Sequence, residues 1–185
     1  MKSGSETIEP DVIDLQIIEI LQEHGRIPLV KLGEQVGLSA PSVIERVKKL
    51  EDSGIITGYH ASVDARMLGK DVGAFIGVSI SHPHTIGQFE QTVDQLGDVL
   101  ECHHVTGQHT VLLKVKTSNT ASLEELIKAI RLIDGVSRTE TMVVLSTHTE
   151  RTQIAAGNRH SHEAGNGKRH RHGTVKSAST EAKRA

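Results

Sequence analysis

Apolar side chains recur with helical spacing in the first third of this chain and with strand-like spacing after it. Over residues 11–24, Ile13, Ile17, Ile20 and Leu21 fall at i, i+4, i+7 and i+8, one face of a helix. Asp11 suits the cap of that helix, Asp14 suits its positive N-terminal end, and Gly25 stops it. Pro28 opens a second, shorter helix in which Leu29, Leu32 and Val36 share a face, and Gly37 ends it. Gly33 inside that run costs about 1 kcal/mol relative to alanine, which implies a close helix–helix approach there. Ser39 caps a third helix with Pro41 in its first turn. Val43, Val47 and Leu50 face inward, Ile44 flanks them, and Ser42, Glu45, Arg46, Lys48 and Lys49 face outward. Gly54 ends this helix, and residues 55–63 read as a short β pair turning near Gly58. Residues 10–63 thus predict three helices and a wing.

After a linker at 64–71, helical-looking near 64–69, the pattern changes. Residues 72–80, 99–106, 109–117 and 136–145 read as strands, and 85–96 as a helix. Leu123, Leu126, Ile127 and Ile130 mark a further helix, capped by Asn119 or Ser122, and Asp134-Gly135 signals a turn. The order β-α-β-β-α-β over residues 72–148 is that of a ferredoxin-like α+β sandwich, with both helices on one face of an antiparallel sheet. A single unit of this kind leaves the other sheet face bare, so a partner subunit is expected to cover it. Residues 152–185 have no periodicity and are rich in Gly, Ser, His and basic groups; a disordered tail is expected.

Composition narrows the function. A chain of 185 residues accommodates two small domains. No run approaches the roughly 18 apolar residues of a membrane span, and residues 1–10 lack the apolar stretch of a secretory signal. Cys102 is the sole cysteine, so no intrachain disulfide forms, and a cytoplasmic, nucleoid-associated location is expected. Aromatic residues make up 2% of the chain, which excludes base-stacking platforms for single strands. The net charge of −2 conceals a division: residues 152–185 carry seven basic and two acidic side chains, and the remainder 14 basic and 21 acidic. An acidic body argues against general coating of nucleic acid but not against one local basic face.

The third helix offers that face. An apolar back and a hydroxyl-and-basic front suit insertion into the major groove of double-stranded DNA. Arg46 can bond guanine or phosphate, Ser42 base or backbone, and Lys48 and Lys49 phosphates. The charges alone fit a solvated helix equally well; the short Gly37-Leu38-Ser39 turn favours DNA. The twelve histidines raise the question of metal. Cys102 with His104, His82 with His84, and the tail pairs His160/His162 and His170/His172 each supply two ligands where a structural zinc wants four, so no metal site and no cofactor is expected. Lys168, Arg169 and Arg171 in the tail suit nonspecific phosphate contacts or a merely solubilising role.

Leu38-Ser39, Val43, Arg46-Val47, Leu50-Glu51, Gly54 and Ile56, in that spacing, resemble the helix-turn-helix of the Lrp/AsnC regulators. Asp11, Asp14 and Gly25-Arg26 resemble the family's first-helix signature. Val105 to His109 with Leu113 and Val115, and then Gly135-Val136, Thr139, Thr141 and residues 143–145, resemble its effector domain. The resemblance implies a homodimer built on the ferredoxin-like domains and assembling to tetramers or octamers, with no role as an enzyme. It implies DNA contact through Ser39, Pro41, Ser42, Glu45, Arg46 and Lys49, with backbone contacts from Arg26, Lys48, Tyr59 and His60. It also implies an amino-acid or related effector near Gly107, Gln108, His109 and Thr110. The family usually has Asp where this chain has Thr110, and a neutral hydroxyl cannot replace that charge toward an α-ammonium; a weakened amino-acid response or a different ligand follows. Glu45 stands where a basic residue is frequent; it removes a phosphate contact and favours cytosine, or simply suits its helix end. The tail lies outside the family pattern. Two other readings share this architecture: a siroheme-decarboxylase-like enzyme using His103, His104 and His109, and a metabolite-binding oligomer that binds no DNA.

Overall fold

A computed structural model describes residues 9–155, in two compact units. Among the described residues, the first comprises 9–58 with 153–155, and the second Tyr59–Thr152. Most of the expected tail, from residue 156 onward, lies outside the described residues.

The first unit holds α1 (Val12–Glu23), α2 (Leu29–Val36) and α3 (Ala40–Asp52). Asp11 caps α1 reciprocally with Asp14: each carboxylate accepts the other residue's backbone N–H, at 2.8 and 3.2 Å. Ser39 caps α3, and α2 ends at Gly37 in the left-handed conformation. Ile17, Leu21, Leu32, Val43, Val47 and Leu50 bury against one another, as the helical spacing predicts. Gly33 is needed for a different neighbour than expected. A Cβ there would lie 2.7 Å from the Leu38 carbonyl oxygen, so the tightest approach is to the α2–α3 turn, with Val43 of α3 at 3.5 Å beside it.

The expected β pair at residues 55–63 does not form: no strand separates α3 from β1 (Val72–Ile80). Only Ile56 of that segment is even half-buried. Turn residues without an apolar face to pack leave an isolated hairpin at best marginally stable. The two units divide between Gly58 and Tyr59, earlier than the boundary expected after Val63. A single 3₁₀ turn, Arg66–Leu68, occupies the linker.

The second unit continues from β1 through α4 (Ile86–Asp94), β2 (Val99–His104), β3 (Val111–Thr117), α5 (Thr120–Arg131) and β4 (Val136–Val143). The sheet order is β2-β3-β1-β4, antiparallel throughout. Ala74, Ile76 and Val78 of β1 and Val111, Leu113 and Val115 of β3 alternate onto one face, where Phe89 and Val93 of α4 and Leu123, Leu126 and Ile130 of α5 cover them. Among the described residues of this unit, no helix covers the opposite face. Register places Phe75 between Lys114 and Met142, and Gly77 between Leu112 and Glu140; Phe75 and Met142 are 36% and 47% exposed.

Candidate nucleic-acid interface and effector segment

Burial of Val43, Val47 and Leu50 fixes which side of α3 faces outward. Ser39, Pro41, Ile44, Glu45, Lys48 and Lys49 are exposed, while Ser42 and Arg46 are half-buried. At about 100° per residue, Pro41, Ser42, Lys48 and Lys49 all fall within about 60° of Glu45, so Glu45 occupies the centre of the outward row. The Ser39 and Ser42 hydroxyls lie 2.9 Å apart, one hydrogen-bonding the other at the start of the helix. Arg26 is exposed in the turn between α1 and α2. Tyr59 and His60, also exposed, belong to the second unit, so the structure does not group them with α3.

Arg46 departs from the expectation of an outward-reaching side chain. Its Nη1 donates to Asp11 Oδ2 and to Asp14 Oδ1, both at 2.7 Å. Asp14 is almost wholly buried, its side chain 6% exposed, against 30% for Arg46 and 52% for Asp11. A buried carboxylate requires charged or hydrogen-bonding partners, and here the capping N–H of Asp11 and the guanidinium supply them. The Asp14 backbone N–H, and after it the guanidinium, hold the Asp11 carboxyl below the usual carboxylate range. Asp11 and then Asp14 raise the Arg46 pKa in turn. Helical spacing marks neither aspartate as a partner of Arg46; by sequence each is only a helix-end residue.

The candidate effector segment lies in the second unit, between β2 and β3. Gly107 and Gln108 are exposed, and His109 and Thr110 half-buried. The His109 imidazole rests on Gly77, where a Cβ would collide with the ring. Glu140 Oε2 lies 3.4 Å from its Nε2 and Ser79 Oγ 3.5 Å from its Nδ1. Ser79 Oγ also donates to the Gln108 carbonyl at 3.4 Å. Thr110 Oγ1 accepts the Ile80 backbone N–H at 3.1 Å, where the β1–β4 register shifts. The hydroxyl therefore serves the sheet. Gly77, Ser79 and Glu140 join this site through strand register, and only the alternation of β1 and β4 could have signalled them.

Among the described residues no group of three or more His, Cys, Asp or Glu side chains gathers as for a metal ion. His82 and His84 stack on each other, with ring centroids 5.5 Å apart, and His104 pairs with Glu90 at 2.7 Å. Burial, and then Glu90, push the Cys102 thiol pKa up. The four tail histidines lie outside the described residues. No helix among the described residues is long and apolar enough to cross a membrane.

Two family models match. An AsnC-type helix-turn-helix domain covers residues 11–51, and an Lrp/AsnC ligand binding domain covers residues 73–154. The HTH-type transcriptional regulator FL11 of Pyrococcus furiosus is 33% identical over 147 residues, spanning 78% of this chain and 95% of that protein. The regulatory protein AsnC of Escherichia coli K12 is 33% identical over 143 residues, spanning 77% and 94%. Among solved structures, a transcriptional regulator of Neisseria meningitidis in complex with L-Met superposes with a TM-score of 0.75 at 29% identity, covering 78% of this chain and 95% of that one. These relatives are named as regulators, and the decarboxylase-like reading is set aside on that ground.

Proposed function

Since the chain belongs to the Lrp/AsnC family of transcription regulators, we propose that it binds particular double-stranded DNA sites as a homo-oligomer, and that a small metabolite alters this binding through the second unit. The observation that carries the proposal is the outward row of α3: Pro41, Ser42, Glu45, Lys48 and Lys49 project together at the start and middle of a helix whose back is buried. Hydroxyls and the carboxylate at the N-terminal half suit base edges, and the two lysines suit phosphates. Arg26 adds a backbone contact. The bare sheet face, with Phe75, Leu112 and Met142 set among charged groups, supports a second copy as its cover. DNA fragments selected from the source genome by the purified protein should share one pattern. A protein that retains metabolite but no DNA would instead be the DNA-free oligomer.

The effector site is placed at Gly107, Gln108, His109 and Thr110. A family neighbour crystallised with L-Met supports an amino-acid-like ligand class. Thr110 opposes ordinary tightness, because it brings no negative charge and already accepts the Ile80 N–H. Calorimetric titration should therefore give weak binding of common α-amino acids, and tight binding of one of them at this segment would refute the weakening ascribed to Thr110.

A further inference from the structure

The side chain with the best chemistry for reading guanine is committed elsewhere. Arg46 leaves α3 about 100° round the helix from Glu45, on the flank that meets the start of α1, and a single guanidinium nitrogen bridges the carboxylates of Asp11 and Asp14. The two aspartates are linked to each other by the reciprocal cap. The three residues thus form a closed ring joining the first turn of α1 to the middle of α3. Val43, Val47 and Leu50 hold α3 in place through apolar packing, which is non-directional. The ring adds direction: it fixes rotation of α3 about its own axis, and so the aim of the Glu45-centred row.

We infer that Arg46 is a positioning residue, which with Asp11 and Asp14 sets the orientation of α3 and does not itself read bases. The inference rests on the DNA-binding reading above. Its decisive feature is a sign. If Arg46 contacts DNA directly, then Asp14→Asn releases the guanidinium and removes a negative charge near a polyanion, and both effects tighten binding. If Arg46 positions α3, the same substitution weakens specific binding although the protein has become more positive.

The test uses the full chain with Arg46→Gln, Asp14→Asn and the double variant, on a genomic fragment selected by the wild type and on an unrelated duplex, well below each variant's melting temperature. Asp11→Asn, at a half-exposed site, serves as the milder variant if Asp14→Asn fails to fold. Each single change should weaken binding to the selected fragment about tenfold, a modest part of the usual specific-over-nonspecific ratio, and shift binding to the unrelated duplex much less, only in the direction set by its charge change. The double variant should be no weaker than the weaker-binding single, because both changes open one ring. Equal or tighter specific binding by the aspartate variant overturns the inference, as does an equal loss on both duplexes or a double variant whose losses multiply. A wild type with no preference for any sequence overturns the DNA-binding reading itself and the positioning role with it.

Discussion

The two units place their polar side chains in opposite ways. In the first, Arg46, Asp11 and Asp14 close on one another at the junction of two helices, and the outward row of α3 stays exposed beside them. In the second, polar and apolar groups share the sheet face opposite the helices: His109 with Glu140, Lys114 with Glu101 and Glu150, and Phe75 and Met142 among them. The first arrangement makes a surface shaped within one chain. The second leaves Phe75 and Met142 exposed on the sheet face opposite its helices. The proposed division, with DNA read by one unit and association through the other, calls for both kinds.

The largest expected effect tests how one-sided the second unit is. Phe89 is fully buried on the helix side of the sheet, whereas Phe75 is 36% exposed on the bare side. Phe89→Ala should cost about 3–5 kcal/mol in denaturant unfolding. Phe75→Ala should cost the isolated chain well under half of that and should weaken self-association measured by sedimentation. Equal losses of stability with no change in association would remove the distinction between the two faces.

A smaller effect is expected at the candidate effector segment. A Cβ at Gly77 would drive into the His109 ring, while one at Gly73 would meet Val144 at an ordinary 3.7 Å. Gly77→Ala should therefore cost about 1–3 kcal/mol and shift the His109 ring resonances. Gly73→Ala should leave those resonances in place. Matching spectra for the two variants would mean that His109 does not rest on Gly77.

The smallest effect separates the polar clusters by pH. Asp11 has a lowered pKa in the folded chain, so its stabilisation is present above the unfolded carboxylate range near pH 4 and is lost as pH falls through the folded value. Glu101, lowered chiefly by His103 and then by Lys114, and Glu150, lowered by Lys114, follow the same sign. Lys114, raised first by Glu150 and then by Glu101, contributes below its unfolded pKa and loses that contribution as pH rises through the folded one. All are partly exposed, so each contribution is below about 1 kcal/mol. Arg46→Gln should flatten the acid limb of melting temperature against pH, and Lys114→Met should flatten both limbs. Unchanged limbs in both variants would show that neither cluster contributes.

Elements with a strong local pattern were legible in the sequence. The alternation of β1 yields its observed bounds, and Ser39, Asp11 and Asn119 cap the helices as their side chains suggest. What escaped was set by distance or by missing burial. Thr57-Gly58 carries a turn signal, but no apolar face follows it, and no hairpin forms. Arg46 reads as outward on spacing alone, because its carboxylate partners lie 35 and 32 positions earlier in the chain. Likewise His109 was singled out through family resemblance, whereas Gly77 and Glu140 reach it only through the pairing of β1 with its two neighbours.

The outward row of α3 carries the proposed DNA contact, and salt-dependent binding measures it most directly. Affinity for the selected genomic fragment, titrated across salt concentration by fluorescence anisotropy, should fall along a steep log–log line for the wild type. Lys48→Ala with Lys49→Ala should reduce that slope by about 2, near one unit for each phosphate that a lysine no longer neutralises, with affinity reduced on every sequence alike. A double variant with unchanged slope and affinity would contradict the claim that α3 is the element that meets DNA.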